Sequence, residues 1–497
     1  MAVLCIDVGT SVIKTVAFDE TGRELGLARR EATVSRPHPG WAEQDMEEVW
    51  DAVVATGREV AGALEEPVGL IAFTAQGDGC WLVDAEGRPS GPAILWNDGR
   101  ANALVERWQR DGLLDRAFAR NRSLGFAGLP SAILAWLREH DRERLERSTT
   151  ALYCDGWLFL RLTGERAVGI SDASAPFLDV RTGDYAPELL ELYDLEWARG
   201  LLPEVRTQEG STGELGAAAA EALGLEPGLP VVMAPYDIVA TAIGVGAVAP
   251  GQACSVLGTT LCTELVLDAL PDDEPPSGLT IALGGERWMR AFPTLAGGEV
   301  VLWAGRELGL GDPGELSALA GDAPLGAGGL WFLPYLAPAG ERAPFLEPAA
   351  RGALLGLSLE HDRSHVARAV LEGLSLVIRD CLEASGARGA LEQIGLCGGG
   401  AASDVWCQLI ADACGVPAFR TKDAEVGARG AFLCGLVATG AEPDLPAAAE
   451  RHVEVGDTFA PDPERAAAFD ERHAEFLALR GLAVEQWRRM ARFAEGA

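Results

Sequence analysis

Twice in this chain two apolar strands meet at a short turn of glycine and hydroxyl residues. The first instance is "CIDVGTSVIKTVAFDETGREL", residues 5 to 25, and the second is "ACSVLGTTLCTELVL", residues 253 to 267. Strands and helices then alternate after each. That grammar predicts an α/β fold in each half, although no strict sequence repeat is visible. At 497 residues the chain is too long for one hydrophobic core. We therefore expect two α/β domains, residues 1–247 and 248–497, with a cleft between them and a boundary at "GVGAVAPGQ".

The remaining elements follow from periodicity and turn signals. Residues 2–8 and 12–18 read as strands, and "DETGRE" turns the chain into a third near 24–34. Residues 45–64 have helical spacing, "VGLIAFTAQ" is a buried strand, and "GCWLVDAEGRPSGPAIL" is a hairpin turning at "AEGR". A helical stretch is expected over 101–162, then a short strand over 231–236 that ends at Asp237. In the second half, helices are expected at 362–385 and 403–413, with the strand "LEQIGLCGGG" between them and a charged helical tail after 460.

Composition removes several function classes. A net charge of −33 disfavours nucleic acid and anionic membranes as partners. The ten cysteines form no C-x-x-C pair and several sit in apolar runs, as free thiols of a reducing compartment do. The six histidines give no zinc spacing. The most apolar segment, about 229–250, holds Asp237 and three prolines, so no bilayer span is expected. The N-terminus enters a strand without a basic region or cleavage site, and the expected location is the cytoplasm.

Four places carry groups suited to chemistry. In the first turn, backbone N–H groups, the hydroxyls of Thr10 and Ser11 and the charge of Lys14 suit phosphate, and Asp7 suits a magnesium ion held through water. The plain alternative is a tight hairpin with a solvated lysine. Gly258 and Thr259 form the second such turn, equally readable as an ordinary hairpin. In "LCGGGAASDVWCQLIAD" three glycines follow a strand and open a helix near Ser403, so a nucleotide could approach bare backbone at Gly399. No P-loop motif is present. Asp237 ends a strand and starts an apolar helix, which fits either a helix N-cap or a general base that takes a hydroxyl proton. Finally Gln76, Asp78, Asp98 and Arg100 lie at strand ends, where amides and carboxylates suit the hydroxyls of a sugar or polyol; loop solvation and a surface ion pair are the alternative.

The order of these segments resembles the FGGY carbohydrate kinases, within the ribonuclease H-like superfold of sugar kinases, Hsp70 and actin. "IDVGTSVIKTVAFD" and "SVLGTT" resemble the two phosphate hairpins, and "GGGAASDVWCQLIADACGVP" resembles the adenosine segment. "GERAPFLEPAARGALLGLSLEHDRSHVARAVLEGLSLVIRD" resembles the family signature region. The resemblance implies an ATP- and Mg2+-dependent kinase with ATP in the cleft between the domains. It implies Asp237 as catalytic base and Asp7 on the magnesium side. Thr10, Ser11, Lys14, Gly258, Thr259, Gly399 and Ser403 would contact ATP. Gln76, Gly77 and Asp78, with Asp98 and Arg100, would read the substrate. "TAQGDGCWLVD" and "YCDGWLFLRLTGE" resemble the erythritol kinases, so a small polyol is the expected substrate. Kinases of this kind for a ketopentose or pentitol, and a non-catalytic nucleotide-gated binding protein, are the alternatives. Many family members are dimers, but no residue here specifies an assembly.

Overall fold

A computed structural model describes residues 1–207, 210–271, 276–284 and 286–494. The chain opens with β1 (Ala2–Val8), β2 (Val12–Phe18) and β3 (Glu24–Glu31), followed by α1 (Met46–Ala63) and β4 (Val68–Ala75). The helix α1 shows how locally this part is encoded. Met46, Val49, Trp50, Val53 and Val60 recur at helical spacing and are all buried. Asp45 caps the helix by accepting from the N–H groups of Glu47 at 2.8 Å and Glu48 at 3.3 Å, a contact worth about 1 kcal/mol. Later come β5 (Thr212–Glu214), β6 (Pro230–Met233) and α2 (Asp237–Gly244). After these come β7 (Gln252–Leu257), β8 (Leu261–Leu267), α3 (Gly298–Glu307), α4 (Arg363–Ala384), β9 (Gln393–Cys397), α5 (Asp404–Cys414) and β10 (Ala418–Thr421). The last of this set are α6 (Val426–Ala438) and β11 (Val455–Phe459).

The chain forms two compact units. The first is Met1–Val248 with two later segments, Leu279–Met289 and Asp423–Val453. The second is Ala249–Gly278, Arg290–Lys422 and Glu454–Ala497. The chain first leaves unit 1 after Val248. The two returning segments, read from sequence as part of the second domain, pack in the first. The reason is visible at α6: Gly244 of α2 and Gly430 of α6 let these helices cross at backbone contact, and a Cβ on Gly430 would sit 1.8 Å from the Ala240 carbonyl oxygen.

The sheet of unit 1 runs β5-β6-β4-β1-β2-β3. Its β1–β4 and β4–β6 pairs are parallel, and β1–β2, β2–β3 and β5–β6 are antiparallel. Within a seven-stranded sheet, the run β8-β7-β9-β10-β11 repeats the pattern: an antiparallel hairpin, two parallel pairs, then an antiparallel edge. The two halves thus share a topology that their sequences do not show as a repeat. In both, the glycine turns and the polar candidates lie at the carboxyl ends of the parallel strands, where open α/β sheets bind ligands.

Several expected elements differ in detail. The helical stretch expected over 101–162 is broken by a strand, Thr150–Leu152, which pairs antiparallel with Trp81–Val83. The hairpin expected over 79–95 is closed only by bridges at Cys80–Ile94 and Val83–Pro89. Its halves pair instead with Thr150–Leu152 and with Glu43–Gln44, because a short strand joins whichever edge lies beside it. The tail is a helix over Pro463–Ala494, and residues 495–497 of the expected tail lie outside the described residues. All ten cysteines are buried and unbridged. Among the described residues no helix is long and apolar enough to cross a membrane.

Candidate active site

In unit 1 the carboxyl ends of three neighbouring strands bring Asp7, Gln76 and Asp237 to one end of the sheet. Asp237 is the first residue of α2, and its Oδ1 accepts from the Ile238 N–H at 2.8 Å. Burial pushes its carboxyl up to about 7; the charges of Asp7 and Asp78 push the same way, against hydrogen bonds from the backbone of Ile238 and Gly77. Such a group is poised to exchange a proton near neutral pH. Asp237 thus starts the helix and carries a raised carboxyl, but the residue that precedes the helix as its cap is Tyr236.

Gly77 has a steric reason. A Cβ there would lie 2.1 Å from the Tyr236 ring, so only glycine lets that ring rest against the strand end beside Asp237. Asp78 follows in the left-handed region, at φ 55°, a conformation aspartate tolerates better than most residues.

The first hairpin is braced rather than loose. Thr10 donates its hydroxyl to Gln76 Oε1 at 2.8 Å and accepts from Trp96 Nε1 at 2.9 Å. Gln76 Nε2 donates to Gln44 Oε1 at 2.7 Å, and Gln44 Nε2 donates to the Thr10 carbonyl at 2.9 Å. Gln76 is buried and its amide is engaged at both ends, so it fixes the first glycine turn. Ser11 is exposed at the tip. Asp98 and Arg100 are a buried pair, with side chains 0% and 2% exposed and Arg100 Nε donating to Asp98 Oδ1 at 2.8 Å. Asp98 also accepts from the Ala42 N–H, and Arg100 bonds Glu43 and stacks 3.9 Å from the centre of the Trp41 ring. The surface pair considered from sequence is thus a buried clamp on the loop.

Lys14 faces Asp7 across β1–β2 and Arg29 across β2–β3. Its Nζ is 3.8 Å from Asp7 and 2.8 Å from Glu425, which also accepts from Arg29 at 2.6 Å. Burial lowers the Lys14 pKa, but Asp7 and Glu425 outweigh it and hold the ammonium above its ordinary value. Burial raises Asp7, with Lys14 opposing. The charges of Asp7 and Asp78 raise the proton affinity of Asp237, a situation that a divalent cation relieves, so the donor chemistry fits Mg2+. Among the described residues no three His, Cys, Asp or Glu side chains form a metal cage. A magnesium ion at Asp7 would keep water and phosphate oxygens as its other ligands.

In unit 2, Gly258, Thr259, Gly399 and Ser403 line one cavity of about 680 Å3. Gly258 and Thr259 follow β7, and their carbonyls accept from the N–H groups of Gly298 and Glu299 at 2.8 and 3.0 Å. Gly399 follows β9, and a Cβ there would meet nothing within 4 Å. Ser403 caps α5, accepting from the Trp406 N–H at 3.0 Å. Val301, Leu302, Ser317 and Trp406 also line the cavity, a size and apolar character that suit a nucleoside.

Sequence reasoning missed Arg29, Gln44, Trp96, Tyr236 and Glu425 in unit 1 and the α3 start in unit 2. "AGGEV", a glycine pair opening a helix, was a readable signal for the last; the others are far in sequence from what they touch.

Two family descriptions match the chain: the N-terminal domain of the FGGY family of carbohydrate kinases over residues 2–244, and its C-terminal domain over 253–439. A xylulose kinase of Escherichia coli (strain K12) is 33% identical over 95% of this chain and 97% of the relative. An erythritol kinase of Brucella abortus (strain 2308) is 31% identical over 98% of each. The crystal structure of a xylulose kinase from Rhodospirillum rubrum is 27% identical, with a TM-score of 0.90 over 98% of this chain and 100% of that one.

Proposed function

The chain belongs to the FGGY family of carbohydrate kinases, and from that premise we propose that it transfers the terminal phosphoryl group of ATP to a terminal hydroxyl of a small polyol, with erythritol as the substrate. Kinases of this family use ATP and an alcohol acceptor. The observation that carries the reading is Asp237: a carboxylate at a helix start, held at about 7 beside Asp7 and Asp78.

Asp237 orients the acceptor hydroxyl and takes its proton as the oxygen attacks phosphorus. Lys14, with the N–H groups of Thr10 and Ser11, stabilises charge on the phosphoryl oxygens. The cavity lined by Gly258, Thr259, Gly399 and Ser403 holds the nucleoside. Asp78 reads a substrate hydroxyl, while Gln76 and the Asp98–Arg100 clamp hold the loops in place. A Mg2+ bound at Asp7 would neutralise phosphate charge. Positioning and electrostatics carry most of the rate, as expected for a loose phosphoryl-transfer transition state.

Two features support a short polyol. Gly77 contributes no side chain, because the Tyr236 ring occupies the space a Cβ would fill, and an erythritol kinase of Brucella abortus is 31% identical over 98% of each chain. A ketopentose or pentitol kinase is the second reading, favoured by the similarity to a xylulose kinase. One or two hydrogen bonds separate such substrates. The test is ADP release by the purified protein with MgATP against erythritol, the pentitols, glycerol, D- and L-xylulose and D-ribulose. Erythritol is expected to give the highest kcat/KM; a ketopentose doing so overturns the substrate, and no stimulation by any acceptor overturns the kinase assignment for this class.

A further inference from the structure

We propose that Glu425 is a positioning residue for phosphoryl transfer, and that it holds the Lys14 ammonium at the phosphate turn against the repulsion of Arg29. The proposal rests on Lys14 being a phosphate contact.

The argument begins with register. Asp7, Lys14 and Arg29 are opposite one another on three adjacent strands, so their side chains share one face of the sheet. Lys14 and Arg29 are like charges in directly opposed positions, which is unfavourable in a β-ladder. Asp7 cannot correct this alone: its Oδ2 is 3.8 Å from the Lys14 Nζ. Without another partner the lysine, on a flexible four-carbon stem, would swing away into water.

Glu425 supplies that partner. Its side chain is only 7% exposed, with Oε1 accepting from Arg29 Nη2 at 2.6 Å and Oε2 lying 2.8 Å from Lys14 Nζ. One carboxylate thus bridges both cations and cancels the excess charge. It is the nearer of the two acids to Lys14, so Asp7 is left less committed to the lysine. The position of Glu425 is itself constrained. It directly precedes α6, and the first turn of α6 lies against Asp7, where a Cβ on Gly427 would sit 2.8 Å from Asp7 Oδ2. A carboxylate fixed at a helix start, buried and bonded to two cations, is a rigid stop for the lysine. The flexible stem then presents its ammonium in one place, and that pre-organisation raises rate without changing acceptor binding.

The experiment is a double-mutant cycle on the full chain with MgATP and the best acceptor of the panel. Lys14→Ala, Glu425→Gln and the pair are compared by kcat, by KM for the acceptor, and by ATP affinity from calorimetry. Glu425→Gln is expected to lower kcat 10- to 100-fold and to leave the acceptor KM within twofold. In the background of Lys14→Ala it should lower kcat less than threefold further, because the residue it positions is gone. Glu425→Asp should recover part of the loss. A Glu425→Gln variant with parental kcat overturns the proposal, as does a pair whose loss is the product of the two single losses. Parental kcat in Lys14→Ala would instead overturn the reading of Lys14, a separate outcome. If Glu425→Gln does not fold, the cycle with Glu425→Asp decides by its coupling alone: a pair whose loss is the product of the two single losses overturns the proposal.

Discussion

Replacing Asp237 by asparagine separates the chemistry of this residue from its place in the fold. The amide oxygen can still accept from the Ile238 N–H, which Asp237 Oδ1 does now at 2.8 Å, so α2 keeps its start. The change removes a proton acceptor and a negative charge. General-base catalysis contributes about 10²- to 10⁴-fold, so kcat should fall by that factor, equivalent to about 3–5.5 kcal/mol of barrier. ATP affinity should stay close to the parent's. Stability should move the other way. The carboxyl rises from its ordinary 3.8 to about 7, chiefly through burial and then the charge of Asp7. Between those values the folded protein binds more protons than the unfolded chain, so the parent loses stability as pH rises through that window. Full burial would make the loss about 4 kcal/mol, and the partial exposure of Asp237 makes it smaller. The asparagine variant lacks this penalty. Its Tm advantage over the parent should therefore be near zero at pH 4 and largest at pH 8. In the parent, kcat should fall as pH drops below about 7, because the base becomes protonated. The assays are coupled ADP release and thermal unfolding at pH 4, 6 and 8. A variant that keeps kcat within tenfold of the parent while binding ATP normally refutes the assignment of the base. A Tm difference that does not grow with pH refutes the raised carboxyl.

Two further substitutions test the rest of the site. Arg100→Ala leaves the 0% exposed Asp98 carboxylate without its bidentate partner, and unfolding in urea should show a loss of about 3–5 kcal/mol; a change under 1 kcal/mol would show that the clamp is not structural. Gly399→Val places a side chain where nothing lies within 4 Å and the cavity wall is bare. It should raise the KM for ATP at least tenfold with the acceptor KM unchanged, and an unchanged KM for ATP would remove the nucleotide from this cavity.

How much of this was legible before the fold was known differs from element to element. The hairpins β1–β2 and β7–β8 and the helices α1, α4 and α5 were readable because period, caps and glycine turns are local signals. The strand Thr150–Leu152 was not, because three residues inside an apolar helical stretch carry no period of their own, and only the neighbouring Trp81–Val83 makes them a strand. Among the candidate site residues, Asp237, Asp7 and Lys14 announced themselves as polar groups set into apolar runs. Gln76, expected as a substrate reader, has its amide bonded to Thr10 and Gln44, partners remote in sequence. Asp98 and Arg100 were readable from sequence either as substrate readers or as a surface pair, and only the fold shows both buried as an ion pair.

By itself, then, the sequence determined the strand and helix grammar of both halves, the turns that suit phosphate and the carboxylate that opens α2, since each depends on residues within one or two turns of chain. Tertiary structure alone decided which charges meet. Arg29 and Glu425 are 396 residues apart, and their contact exists only because α6 returns to unit 1 and crosses α2 at paired glycines. Hydrogen bonds need donor and acceptor within about 3 Å and exposed charges are screened over about 10 Å, so a partner that remote in sequence becomes a partner only after the chain has folded.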